Sequence, residues 1–297
     1  MSVNKPIWKL RDWIDLKKIY KCHLCLNLNP VVISYLRNNP QYINYSILSS
    51  NPNAIELLKE HPEKINWNIL SSNPNAIDLL KANPDKIDWY QLSGNPNAIE
   101  LLKANPDKID WDYVLENPNC FELLKDNYDK ITNWRILSAN PNAIEILKEN
   151  PDKIDWSQLS ANPNAIELLK ANFDKIDWEE LSYNSNGLEI LKDYPDKIEW
   201  DYLSSNPNAI ELLKANQDKI DWFNLTLNSN AIELIEKKPS KINWIELMKH
   251  PEIFVLDYEE MKKNNEAMYE ELVKEVMKPS RVFKNPDYDY IEELFGD

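Results

Sequence analysis

The apolar and polar positions of this chain repeat on a period much longer than a helical turn. In residues 95–116, Ala98, Ile99, Leu101 and Leu102 form an apolar block broken by Glu100 and closed by Lys103. The polar run Asn105-Pro106-Asp107-Lys108 follows, and then a smaller block of Ile109 and Trp111. This two-block pattern fills most of the sequence. Trp67, Trp89 and Trp111 stand 22 apart, and Trp134 comes 23 later, with one extra residue at or beside Thr132. Trp156, Trp178, Trp200, Trp222 and Trp244 return to a spacing of 22. Tyr45 holds the slot one period before Trp67. His23 holds the slot before that, where the pattern fades although "LNP" at 28–30 still matches. A fixed period in this range marks an array of stacked units.

Each block predicts an element. Asn95 is a good helix N-cap and Pro96 suits the first helical position. The residue before a proline disfavours helix, so the first helix ends near Ala104, ahead of Asn105-Pro106. Asn-Pro-Asp-Lys then fits a type I turn, and Asp110 caps a second, shorter helix that carries Trp111. A helix this short and this apolar is unstable alone and needs stacked neighbours. The prediction is therefore an all-α fold: an α-solenoid of about ten two-helix repeats over 28–250. Residues 1–27 read as a degenerate N-terminal capping unit, and 251–297 as a C-terminal helical cap with an acidic tail. At the usual spacing of stacked helices the repeats would form a curved rod about 80–100 Å long. An amphipathic helix at 258–278, with Met261, Met268, Leu272 and Val276 on or near one face, is expected to cover the last repeat.

The internal copies can be compared with one another. A capping Asn recurs from Asn29 and Asn51 to Asn228, and a second Asn recurs two places later from Asn53 to Asn230. Caps and buried amides explain both columns. The Trp slot, Trp156 included, is expected to be core. A Lys column running from Lys64 to Lys241 follows a nearly constant acid and reads as a solvated, charge-balanced face. Variation concentrates one, two and five places after Trp, where it forms a stripe on the short helices. Free variation at a stacking position would wreck the stack, so at least part of this stripe is exposed. Its aromatic members Tyr90, Tyr113, Tyr183, Tyr202 and Phe223, with the charged Arg135, Glu179 and Asp201, are the candidate partner-binding residues. Surface residues that had merely drifted would give the same variation.

Composition narrows the function further. Only three Gly occur among 297 residues, which removes Gly-rich phosphate and dinucleotide loops. The formal net charge is −15. Such a surface repels nucleic acid and anionic lipid and suits a basic or amphipathic protein partner. No apolar run is long enough to span a membrane and no signal peptide is evident. "CHLC" at 22–25 is half of a zinc ligand set without a second half, and Cys120 sits in a slot held elsewhere by Ala54 or Ala98. The acids recur in every unit, whereas catalytic pairs are singular. No metal, cofactor or catalytic residue is assigned, and the expectation is a monomeric, non-enzymatic binding protein.

Three segments also carry a resemblance. "WKLRDW" near the start, the tandem "LSSNPNAIELLKxNPDKIDW" and the closing "EELVKEVMKPSRVF" resemble the 22-residue tandem-repeat proteins of giant nucleocytoplasmic DNA viruses. It covers nearly the whole chain, although that family often has His where Lys278 precedes Pro279. The resemblance supplies no catalytic residues. It implies a viral origin and a place in the host-cell cytoplasm or the virion: an intracellular protein, not a secreted one. Under it, a repeat scaffold, a virion assembly component and an acidic decoy for basic host proteins are all open. The alternation of long and short helices is also similar to the leucine-rich repeat variant, which supports a helical solenoid by analogy.

Overall fold

Every repeat starts with an asparagine that caps its own turn. Asn51 Oδ1 accepts from the Asn53 N–H at 2.9 Å, and Pro52 follows in the first helical position. The chain enters as a 3₁₀ turn, Pro52–Ala54, and relaxes into the α-helix Ile55–Lys59. The same sequence builds Pro74–Ala76 with Ile77–Lys81, and Pro207–Ala209 with Ile210–Ala215. These Ile-led helices stop before the next proline, as expected, and Pro84–Lys86 or Pro106–Lys108 makes a single 3₁₀ turn. Asp88 Oδ1 then accepts from the Gln91 N–H at 3.0 Å and opens the Trp-led helix Trp89–Ser93. The computed structural model describes residues 6–276 of the chain. Over them the fold is an all-α repeat solenoid apart from two short strands.

Three hydrogen-bond ladders join the units. In the first, a fully buried Asn amide donates to two carbonyls of the preceding repeat. Asn73 Nδ2 reaches the Ser49 and Asn51 oxygens at 2.9 and 3.0 Å, and Asn95 Nδ2 reaches those of Ser71 and Asn73 at 2.9 and 2.8 Å. In the second, Asn75 Nδ2 donates to the Pro52 oxygen at 2.9 Å and Asn97 to that of Pro74 at 2.8 Å. The third uses a buried serine. Ser71 Oγ donates to the Trp67 carbonyl and accepts the Asp88 N–H of the next unit at 3.0 Å. Leu115 stands where that serine should be, and the extra residue falls in the following unit. There Thr132 Oγ1 bonds the Asp112 carboxylate instead. Buried leucines such as Leu70, Leu80, Leu92 and Leu102 fill the space between the helix layers.

The ends of the repeat meet. Asn27 Nδ2 donates to the Met248 and His250 carbonyls at 2.9 Å each, and Asn29 Nδ2 to the Pro251 carbonyl at 2.7 Å. This is the interior pattern, spanning more than 220 residues of sequence. Trp13 lies against Trp244, with ring centroids 6.4 Å apart. The compact unit Asp12–Ile253 is thus a closed ring of eleven rungs, from Asn27 through Asn51 and onward to His250. Two expectations change. The perimeter replaces the length of an open rod, because small rotations of one hand between repeats complete a turn. The first rung is Asn27, and Asn29 belongs to the second ladder, since Asn27 Oδ1 accepts the Asn29 N–H at 2.9 Å.

The Trp slot also differs from expectation. Apart from Trp222, these rings are only half-buried. Lysines expected to be merely solvated lie over them: Lys86 Nζ is 4.5 Å from the Trp67 centroid, Lys175 is 4.5 Å from Trp156 and Lys219 is 4.5 Å from Trp200. Each lysine sits one repeat beyond its ring, so the cation–π contact is a further joint between units.

Residues 6–11 and 254–276 belong to a second unit. Strand β1 (Trp8–Leu10) pairs antiparallel with strand β2 (Phe254–Leu256), and Asp257 N donates to the Ile7 oxygen at 2.8 Å. Asp257 Oδ1 caps the helix Tyr258–Val276 through the Glu260 N–H. The expected capping face on Met268, Leu272 and Val276 lies outside the described side chains, as the acidic tail lies outside the described residues. The carbonyls that end the last repeat are occupied by Asn27 and Asn29.

Candidate protein-binding face

The two helix layers are unequal. Trp-led helices of adjoining repeats pack more extensively against one another than the Ile-led helices do. Along each Trp-led helix, the residues three and four places after Trp turn inward, as Leu92 and Ser93 do. Those one, two and five places after it lie on the opposite side of a 3.6-residue turn and are exposed or half-buried, apart from the buried Ser205. The variable stripe of the sequence is this face.

The structure sorts the candidate residues into two groups. Tyr90 and Tyr113 stack with centroids 4.5 Å apart and planes 8° from parallel. Tyr90 is exposed and Tyr113 half-buried, and burial pushes the Tyr113 phenol up from its usual range. Gly94 makes the stack possible: a Cβ there would come within 2.8 Å of the Tyr113 ring. The second group runs over consecutive repeats. Tyr183, Tyr202 and Phe223 are 51%, 40% and 57% exposed, which is high for rings of this size. The Glu179 carboxylate beside the Tyr202 hydroxyl holds that phenol above its usual range. Asp201 is exposed, and its carbonyl accepts from Asn224 Nδ2 at 3.2 Å. Arg135 stands between the groups and makes only a long, exposed pair with Asp155 at 3.9 Å.

Other members of the face emerge from the geometry. Glu180 lies beside Glu179 and Asp177, and burial together with these two charges pushes its carboxyl upward. Leu227 and Ile245 are exposed at 51% and 38%. Both belong to the stripe, but their aliphatic character gave less signal than a ring. Leu28, at 62% exposure, occupies a slot that is proline in most copies, a position that follows from Asn27 being the first rung. Tyr183 and Leu227 border one groove of ≈ 340 Å³, and Leu227 borders a second of ≈ 370 Å³ that also touches Leu28.

The two buried cysteines, Cys25 and Cys120, serve the fold. Cys25 Sγ donates to the Tyr42 carbonyl at 3.7 Å and accepts the Asn44 N–H at 3.3 Å. Cys120 is packed beside the Asn140 rung, and burial pushes its thiol up to about 12. Among the described residues no helix is long and apolar enough to cross a membrane. Compared with protein-family models, characterised proteins and solved structures, the chain matches none.

Proposed function

We propose that this protein is a non-enzymatic scaffold that binds another protein through the exposed face of its Trp-led helices. One observation carries this reading. The joints between repeats use the Asn, Ser and Trp-slot residues, while Tyr183 and Phe223 fill slots that hold Ser, Ala or Asn in other repeats, and Tyr202 fills one that also takes Ile, Gln, Glu and Asn. The fold does not need these rings, and large apolar groups that water would otherwise disfavour are typical interface anchors. The resemblance to giant-virus repeat proteins adds, as part of the same proposal, that the scaffold works inside an infected cell.

Affinity capture from an infected-cell lysate, read by mass spectrometry, tests the proposal against the triple variant Tyr183→Ser, Tyr202→Ser, Phe223→Ser. The expected result is a partner retained by the parent and lost from the variant, with closely similar melting curves. If the partner stays bound to the variant, the face is not the interface.

A further inference from the structure

The exposed face is not uniform around the ring. In the repeats led by Tyr45 and Trp67 the outward slots hold Ser46, Ser50, Asn68 and Ser72, with the half-buried Ile47 and Ile69 as their apolar members. In those led by Trp178, Trp200 and Trp222 they hold Tyr183, Tyr202, Phe223 and Leu227, all at least 40% exposed. Single exposed apolar residues are ordinary, whereas a contiguous run marks a contact surface. The grooves beside Tyr183 and Leu227 give this run depth.

Its unpaired charge is acidic, since Lys249 beside the Leu227 groove is matched by Glu246. Glu179, Glu180 and Asp201 border the same repeats, and among the described residues none of them has a Lys or Arg within ion-pair distance. Some neighbouring acids, by contrast, are matched: Glu167 and Glu189 both reach Lys170, and Glu211 reaches Lys214. Crowded carboxylates beside exposed rings favour a cation, through charge and through the ring faces. The spacing of rings and acids over consecutive repeats suits an elongated occupant.

Resting on the scaffold reading above, we infer that the arc from Tyr183 to Leu227 docks a basic amphipathic segment of another protein. Its apolar side chains enter the grooves at Tyr183 and Leu227, and its Lys or Arg side chains meet Glu179, Glu180 and Asp201. A segment that is only basic lacks the apolar contacts, and an acidic one is repelled.

The test uses the full-length protein and three short fluorescein-labelled probes: a Leu–Lys peptide, its Leu–Glu counterpart and oligolysine. Anisotropy should show the Leu–Lys peptide binding at least about tenfold tighter than either of the others. Two variants should each weaken it by about tenfold or more: Tyr183→Ser with Tyr202→Ser and Phe223→Ser, and Glu179→Gln with Glu180→Gln and Asp201→Asn. The charge variant should also flatten the salt dependence. Ser46→Ala with Ser50→Ala and Asn68→Ala, on the bland arc, should change nothing. Far-UV circular dichroism checks that each variant is folded, and the charge variant keeps the test alive if the aromatic one is not. Equal binding of oligolysine, or Leu–Lys binding that both arc variants leave intact, overturns the inference. If no probe binds while a captured partner is still released by the aromatic variant, the scaffold reading stands and the basic segment falls. If no probe binds and the captured partner is also retained, both fall.

Discussion

The junction between Asn73 and Asn95 and the seam between His250 and Asn27 are built from the same amide bonds, yet they are unequal. At the interior junction Asn95 makes two buried hydrogen bonds and Asn97 a third, Ser71 ties in Asp88, and Lys86 covers Trp67. The seam keeps the three amide bonds, but Met248 occupies the serine slot, and Lys18 stands 5.4 Å from the Trp244 centroid. A histidine replaces the last asparagine, with its Nε2 at 3.1 Å from the Asn228 oxygen and its Nδ1 at 3.2 Å from the Glu252 N–H. Among the described residues the buried Trp13 indole N–H finds no hydrogen-bond partner there, a defect that costs about 1–3 kcal/mol when the donor stays dry. The interior junction also has a continuous chain through it. Identical primary contacts thus give a strong joint where secondary contacts and connectivity add, and a weaker one at the seam, where the β1–β2 pairing of the flanking residues Leu10 and Phe254 stands in for a continuous chain.

The largest way to break this comparison is to remove a whole repeat. Deleting residues 140–161 would leave an open solenoid intact, whereas here the remaining junctions would each have to turn further for Asn27 to reach His250. Because packed interiors resist such strain, the expected outcome is retained far-UV helicity with an open seam. Small-angle scattering should report an increased radius of gyration. An unchanged closed ring would mean that closure does not depend on repeat number.

Point changes should separate the two joints. Asn95→Ala leaves the buried Ser71 and Asn73 carbonyls without their donor and should cost about 2–5 kcal/mol, seen as a lower chemical-denaturation midpoint. Asn27→Ala removes the same bonds at the seam. There the ring should open before the helices melt, so that hydrodynamic radius rises while the main unfolding midpoint moves little. Equal loss of midpoint in both variants would show the seam to be as strong as the interior.

A third change weighs the ring contacts that the interior has in better form than the seam. Trp156 is half-buried beneath Lys175, so Trp156→Ala should cost about 2–3 kcal/mol, less than deletion of a fully buried ring. Denaturant titration measures it, and a cost near that of a fully buried aromatic would restore Trp to the core.

The smallest effect concerns an interior rung alone. Burial holds the Cys120 thiol at about 12 in the folded chain, above the value of about 8.5 of a free thiol. Below about pH 8.5 both states are protonated and stability does not depend on this group. Above that, the unfolded chain ionises while the folded chain does not, so stability falls as pH rises toward about 12. Cys120→Ala fits the slot that Ala98 fills and should lose less stability between pH 8 and 10 than the parent. Identical slopes in thermal melts at the two pH values would deny the burial effect.

The locally encoded features were legible. Asn-Pro starts, Asn-Pro-Asp-Lys turns and Asp caps involve residues within a few positions of one another, so Asn51, Pro106 and Asp88 announce their roles. That part of the stripe is exposed was legible too, because Ser, Asn, Tyr and Phe cannot all satisfy one stacking site, and the Trp+1 slot is its most open part while Ser205 of the Trp+5 slot is buried. Closure was not legible. It depends on the sum of small rotations over many junctions, and its contacts join Asn27 to His250, where the motif is most degraded. The stack of Tyr90 on Tyr113 was hidden because it needs Gly94, which looked like one more variable position. The half-burial of Trp156 was hidden because the side chain that shelters it, Lys175, looked like ordinary solvated charge.

The seam also has a consequence for how molecules meet. Asn27 on one end and the His250 carbonyl on the other are the complementary halves of a head-to-tail interface, and such an interface makes either a closed ring or an endless filament. Tethering both halves on one chain fixes their effective concentration, which competes against neighbours only when the protein is very crowded. Each molecule therefore consumes its own polymerising surface, and an opened ring regains it.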